Sequence, residues 1–185
     1  VYSTVVLVEN RNIDSDASNV SYIFKIYDKV GKVITERQGA TNLKKNSPLA
    51  IFEGNITTST TPAKVTFEFI GNIVWRRNKE LLPDIKLSHS SILNEESLPR
   101  IDAVIENDSL DTLKNIEVVT VILDGRDNII ATSRTFVDKL RNDEKSNLFF
   151  TWPEPFSLGE RACSQPSAVH LLLDRSGSMA SISQN

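Results

Sequence analysis

Cysteine is almost absent. Cys163 stands alone among 185 residues, so no disulfide can form within the chain. It reads as a free loop thiol, the alternative being a partner cysteine outside these residues. Long apolar runs are missing as well: nothing approaches the roughly 18 residues that span a bilayer. No basic start leads into an apolar block, so no signal peptide is visible, and the chain opens at Val1 directly in strand-like sequence. Histidine is scarce, and His89 and His170 lie too far apart in sequence for metal-ligand spacing. The apolar strand around His170 makes it a packed core residue. There is no GxSxG, HExxH, paired CxxC or phosphate loop, and the carboxylates are scattered without an acid/base pair. Enzymatic activity is therefore not expected. A net charge of −3 gives no electrostatic ground for a nucleic-acid partner. The short basic pairs Lys44-Lys45 and Arg76-Arg77 read as solvated surface.

What is present is repetition. Apolar residues make up 39% and charged residues 24%, ordinary for a chain that buries a core. Residues 6–54 and 103–152 align with one or two single-residue gaps. Val8-Glu9-Asn10 matches Ile105-Glu106-Asn107, Val20 matches Ile116, Tyr27-Asp28 matches Leu123-Asp124, and Val33-Ile34 matches Ile129-Ile130. Phe52 falls beside Phe149 and Phe150. Each copy alternates with period two: Val20, Tyr22, Phe24 and Ile26 share one face, as do Ile116, Val118, Thr120 and Ile122. Turn chemistry separates the runs, at Asp28-Lys29-Val30-Gly31-Lys32 and at Asp124-Gly125-Arg126-Asp127-Asn128. Short strands, frequent turns and no convincing helix predict an all-β chain of two tandem antiparallel sandwiches.

The expected boundaries are 1–76 for the first module, 77–83 for a polar linker and 84–156 for the second module. A second linker over 157–167 and a terminal segment over 168–185 complete the chain. "DIKLSHSSI" (84–92) reads as a leading edge strand of the second copy, with Ile85 and Leu87 alternating. The first copy shows no counterpart, so a matching strand is expected upstream. Trp75 and Trp152 close the last strand of each copy and are expected in core or inter-module packing. Asn19-Val20-Ser21, Asn55-Ile56-Thr57 and Asn107-Asp108-Ser109 fit a glycosylation acceptor, a pattern common by chance. Phe24-Lys25-Ile26-Tyr27-Asp28 before a Gly-Lys turn resembles the FxLYD group of small bacterial β-sandwich domains, similar in architecture to immunoglobulin and fibronectin type III modules. The second copy keeps the Asp but has Leu123 in place of Tyr. The resemblance implies spacer or interaction modules on exported or membrane-anchored proteins.

The last 18 residues read differently. Ala168–Leu173 is continuously apolar apart from His170, which suits a buried parallel strand. Asp174 sits at its carboxyl end, where ligands bind in open α/β sheets. Ser176 and Ser178 follow, with Gly177 permitting a tight turn. Mg²⁺ takes hard oxygen ligands in octahedral array, and two hydroxyls beside a carboxylate supply such oxygens. "VHLLLDRSGSM" is similar to the opening strand and DxSxS loop of von Willebrand factor A domains, where the loop forms the first part of the metal-ion-dependent adhesion site (MIDAS). The resemblance implies that Asp174, Ser176 and Ser178 are Mg²⁺ residues of a complete domain whose later Thr and Asp loops are not in this chain. As it stands the segment is an incomplete start of an α/β domain, expected to be mobile or docked on the second copy. Two sandwiches before such a start also resemble bacterial membrane-anchored surface proteins. This order implies a non-enzymatic stalk on the outer face of the cell envelope, anchored upstream, that presents an adhesion domain to a protein ligand. The alternative is a membrane-associated assembly factor whose A-type domain works with an ATPase in metal insertion or complex remodelling.

Overall fold

β-branched and aromatic side chains at every second position favour extended backbone and bury one face of each strand. The computed structural model describes residues 1–80, 82–89, 92–94, 96–126 and 128–156, and the backbone of two further strands at 168–175 and 181–182. Among the described residues there are strands and turns but no helix. The chain divides into two compact units, Val1–Glu80 and Leu81–Asn185.

The first unit holds β1 (Tyr2–Asn10), β2 (Ser15–Tyr27), β3 (Val33–Leu43), β4 (Ser47–Ile56), β5 (Lys64–Phe69) and β6 (Trp75–Arg77). β1 pairs antiparallel with β4 in one sheet; the other runs β3-β2-β5, with β6 also on β2. β3 follows β2 along its length, so β5 and β6 share the opposite edge, at Tyr22–Tyr27 and Ser15–Ala17 respectively. Between the sheets lie Phe24, Ile26, Leu49 and Ile56, all within 2% of complete burial. Four rings form a continuous stack: Tyr22 lies 5.8 Å from both Phe24 and Phe67, and Phe67 lies 4.9 Å from Phe24 and 5.0 Å from Phe69. Gly39 lies opposite Tyr22 in the β2–β3 register, and the phenol ring fills the space a side chain would need.

Asp16 ties this unit's C-terminal stretch to its turns. Its carboxylate accepts from the Lys45 N–H at 2.7 Å, the Asn78 amide at 2.8 Å and the Lys44 ammonium at 3.2 Å. Burial pushes this carboxyl up, but the three donors together outweigh it and hold it below the usual carboxylate range. Arg77 pairs with Asp14 at 2.8 Å, so Arg77 and Asn78 are held to the first unit, although composition places them at the start of a linker.

The second unit holds β7 (Ile85–His89), β8 (Arg100–Asn107), β9 (Leu113–Leu123), β10 (Ile129–Leu140), β11 (Lys145–Thr151), β12 (Ala168–Arg175) and β13 (Ser181–Ile182). One sheet runs β11-β8-β7 and the other β10-β9-β12-β13. The core between them comprises Ile101, Ile105, Leu113, Ile116, Val118, Ile122, Leu140 and Phe150, with Ile85 and Leu87 contributed by β7.

The duplication extends to single hydrogen bonds. Asn10 donates its amide to the carbonyls of Ser15 at 2.9 Å and Leu43 at 3.3 Å, and its Oδ1 accepts from the Asn12 N–H at 3.0 Å. Its counterpart Asn107 donates to Asp111, Leu140 and Arg141 carbonyls at 2.8, 3.1 and 3.0 Å, and accepts from the Ser109 N–H at 3.1 Å. Asp28 accepts from the N–H groups of Val30 and Lys32, and Asp124 from those of Arg126 and Asn128, closing the same turn twice. The left-handed residues repeat too: Asn19 (φ 54°) with Asn115 (φ 50°), and Asn46 (φ 45°) with Asp143 (φ 57°). Asn and Asp are the non-glycine residues that tolerate this conformation best.

Trp152 packs as expected, against the second core, and donates its indole N–H to the Thr132 carbonyl at 3.0 Å. Trp75 lies outside the core: it sits on the short β6 and is 43% exposed. Asn107 is fully buried, which closes that acceptor sequence to modification in the folded chain.

Candidate functional site

The terminal strand differs from the sequence expectation in direction. β12 runs antiparallel to β9, from Ala168 opposite Leu123 to Arg175 opposite Ile116. Its place is that of β5 in the first unit. β5 sets Lys64, Val65, Phe67 and Phe69 opposite Tyr27, Ile26, Phe24 and Tyr22 of β2. β12 sets Ala168, Val169, Leu171 and Leu173 opposite Leu123, Ile122, Thr120 and Val118, the counterparts in the repeat. The physical reason is the edge of β9: a strand there satisfies backbone groups that would otherwise lack partners. The expected α/β fragment is not seen among the described residues.

Asp174 falls opposite Glu117 of β9. Ser176 and Ser178 lie outside the described residues, as does Cys163. Among the described residues no group of three or more His, Cys, Asp or Glu could hold a metal ion. Mg²⁺ takes six oxygens in near-ideal octahedral array. The single strand position of Asp174 does not amount to that donor set.

Aromatic, cationic and carboxylate side chains meet on the outer face of the β11-β8-β7 sheet. Along β8, Ile101, Ala103 and Ile105 point inward, which leaves Arg100, Asp102, Val104 and Glu106 outside. A shallow cleft of about 370 Å³ lies there, lined by Ser88, His89, Asp102, Ala103, Val104, Asn147 and Phe149. Phe149 stands opposite Asp102 and is 54% exposed. The Arg100 guanidinium covers its ring at 4.7 Å and is paired with the Asp102 carboxylate. Further along the face Lys145 pairs with Glu106 at 3.1 Å, and Lys86 pairs with Asp108. Cations and carboxylates therefore pair with one another along this face. Ser88 and His89 are strand neighbours whose side chains leave opposite faces. That is not a geometry in which an imidazole takes a proton from a hydroxyl. The arrangement can hold a polar group against an aromatic ring.

Sequence reasoning gave Arg100 and Asp102 no site role and named Phe149 only as a match within the repeat. One signal was available: in the pair Phe149-Phe150, strand alternation requires one ring to face outward.

No protein-family model matches this chain, and no curated protein matches it. Among solved structures it is similar to the exo-chitosanase CsxA of Amycolatopsis orientalis, at 9% identity and a TM-score of 0.38, over 98% of this chain and 25% of that one. It is also similar to a β-glucuronidase of Bacteroides uniformis, at 14% identity and a TM-score of 0.32, over 96% of this chain and 25% of that one. The chain spans about a quarter of the length of these enzymes. At such scores the likeness assigns no residue of this chain a role.

Proposed function

We propose that the two sandwiches are serial spacer modules of a non-enzymatic surface protein, of the FxLYD type, that carry a von Willebrand A-type adhesion domain beginning at residue 168. The observation that supports this is the repetition of one module down to its buried Asn bracket and its Asp-closed turn. A chain that duplicates its structural fasteners, and pairs cations with carboxylates on the outer face of its β11-β8-β7 sheet, fits a repeated spacer module. In this reading the modules stand on the outer face of the cell envelope above an upstream membrane anchor. The complete A-type domain binds a protein ligand through Mg²⁺ held with Asp174, Ser176 and Ser178.

The test is Mg²⁺ titration calorimetry on the chain extended through the whole A-type domain, with and without Asp174→Ala. Loss of Mg²⁺ binding in the variant supports the assignment, and unchanged affinity overturns it. Labelling of intact cells with a membrane-impermeant lysine reagent tests the location. Protection of Lys29, Lys32 and Lys79 in intact cells, with labelling after lysis, places the modules inside and refutes the surface reading.

A further inference from the structure

The two units differ at one sheet edge. In the second unit β7 pairs along β8, with Ile85 opposite Asn107 and Leu87 opposite Ile105. Ile85 and Leu87 are 3% and 4% exposed and fill one side of the core. In the first unit β1 is the counterpart of β8, Val8 and Asn10 standing where Ile105 and Asn107 stand. β1 pairs with β4 on one side, and among the described residues no strand pairs with its other side. The consequence shows in burial. Ala103 and Ile105 are buried at 3% and 0%, whereas the matching Val6 and Val8 are only half-buried.

We propose that the free edge of β1 is a strand-docking site. Its occupant is the segment that precedes Val1 in the polypeptide, added antiparallel as β7 is added to β8. The repeat specifies the chemistry of that segment. Apolar side chains fall opposite Asn10 and Val8 and point into the core beside Val6 and Val8. An outward-facing residue falls between them, opposite Glu9, as Lys86 falls opposite Glu106. The outer face at this edge is apolar, with Leu7 45% exposed beside Val5 and Phe52, so the incoming strand also covers surface that water now wets. An open edge with half-covered apolar residues is the feature by which sheets accept a further strand.

The experiment grafts residues 83–99 of the second unit, which comprise β7 and its connection, in front of Ser3 in the full chain, replacing Val1-Tyr2. The first unit's melting midpoint is followed by Trp75 fluorescence in a Trp152→Phe background, and amide exchange is measured at Val5–Val8. The graft is expected to raise that midpoint by roughly 5 °C or more and to slow exchange along β1. A graft carrying Ile85→Asp and Leu87→Asp should do neither. No change with the first graft, or an equal rise with both, overturns the proposal. So does concentration-dependent dimerisation of the ungrafted chain with protection at the same amides, which gives the edge to a second copy.

Discussion

Replacing Asn107 by alanine tests whether the repeated bracket holds the second unit together. The Asn107 amide reaches three carbonyls, those of Asp111, Leu140 and Arg141, and its Oδ1 takes the Ser109 N–H. The bond to the Leu140 carbonyl is buried and the others are partly buried. Losing the donor to a buried carbonyl costs about 2 kcal/mol, and each half-wet partner about 0.5 kcal/mol, because water replaces the lost bond in part. The sum is about 3.5 kcal/mol, a large share of the roughly 5–10 kcal/mol expected for a unit of this size. At an m-value of about 1.5 kcal/mol/M the urea midpoint falls by about 2 M. Trp152, held by Thr132 and packed edge-on against Phe156 at 5.1 Å, reports this unit once Trp75→Phe has silenced the other. Asn107→Leu keeps the volume and loses the same bonds, so it should cost as much as alanine. If it is instead close to neutral, the alanine effect is a cavity and not a bracket. A loss below about 1 kcal/mol in both variants refutes the argument. Asn10→Ala in the first unit should cost less, about 2 kcal/mol, because its bond to Leu43 is longer at 3.3 Å.

Three further outcomes follow from other residues. In Gly39→Ala the new Cβ would sit 2.4 Å from the Tyr22 oxygen, which is held by Glu53 at 2.8 Å; forcing the ring aside should cost about 1–3 kcal/mol, read by calorimetry of the first transition. The Asp16 carboxyl titrates below its unfolded value, so its ionised form adds stability above about pH 4 that is lost as pH falls through the folded pKa. Asp16→Asn should therefore lower stability at neutral pH and flatten the acid limb of a urea-midpoint profile, and a profile parallel to wild type would count against the ion pair with Lys44. Deleting residues 157–185 removes β12 from β9, and hydrogen exchange should then rise at Val118–Val121 while Ile101–Ile105 of the other sheet stay protected.

Most of the fold can be read in the chain because alternation is unambiguous where one face is buried. "VSYIFKIYD" and "IEVVTVILD" carry that alternation, and they are the central strands β2 and β9. The buried Asn residues were legible as matching positions but not as brackets, since their partners at Leu43 and Leu140 come from strands more than thirty residues away. The exposure of Trp75 was not legible either. β6 is three residues long, and a strand that short sets no burial by pattern. The direction of β12 could not be read at all: a continuous apolar run suits a strand with either kind of neighbour, and only the free edge of β9 decides it.

That edge sets a condition on the proposed function. A strand has two hydrogen-bonding edges, and β12 uses one on β9 and the other on β13. The opening strand of an α/β sheet needs parallel neighbours, which use the same backbone groups. Residues 168–175 therefore cannot close the second sandwich and open an A-type domain at once. On the proposed reading, the sheet of a complete A-type domain must draw the strand off β9. The sandwich then needs another segment in the β5 position, or it presents the edge opposite Ile116–Leu123 to water. A row of buried aliphatic residues, Val118, Val119, Val121 and Ile122, lies along that edge. An uncovered strand of that composition is an aggregation hazard, so the extended chain should carry a strand that replaces β12 there. Exchange protection at Val118–Val121 retained in the chain extended through the A-type domain would show such a replacement. Loss of that protection in a chain that stays soluble and monomeric would show that the edge does not need one.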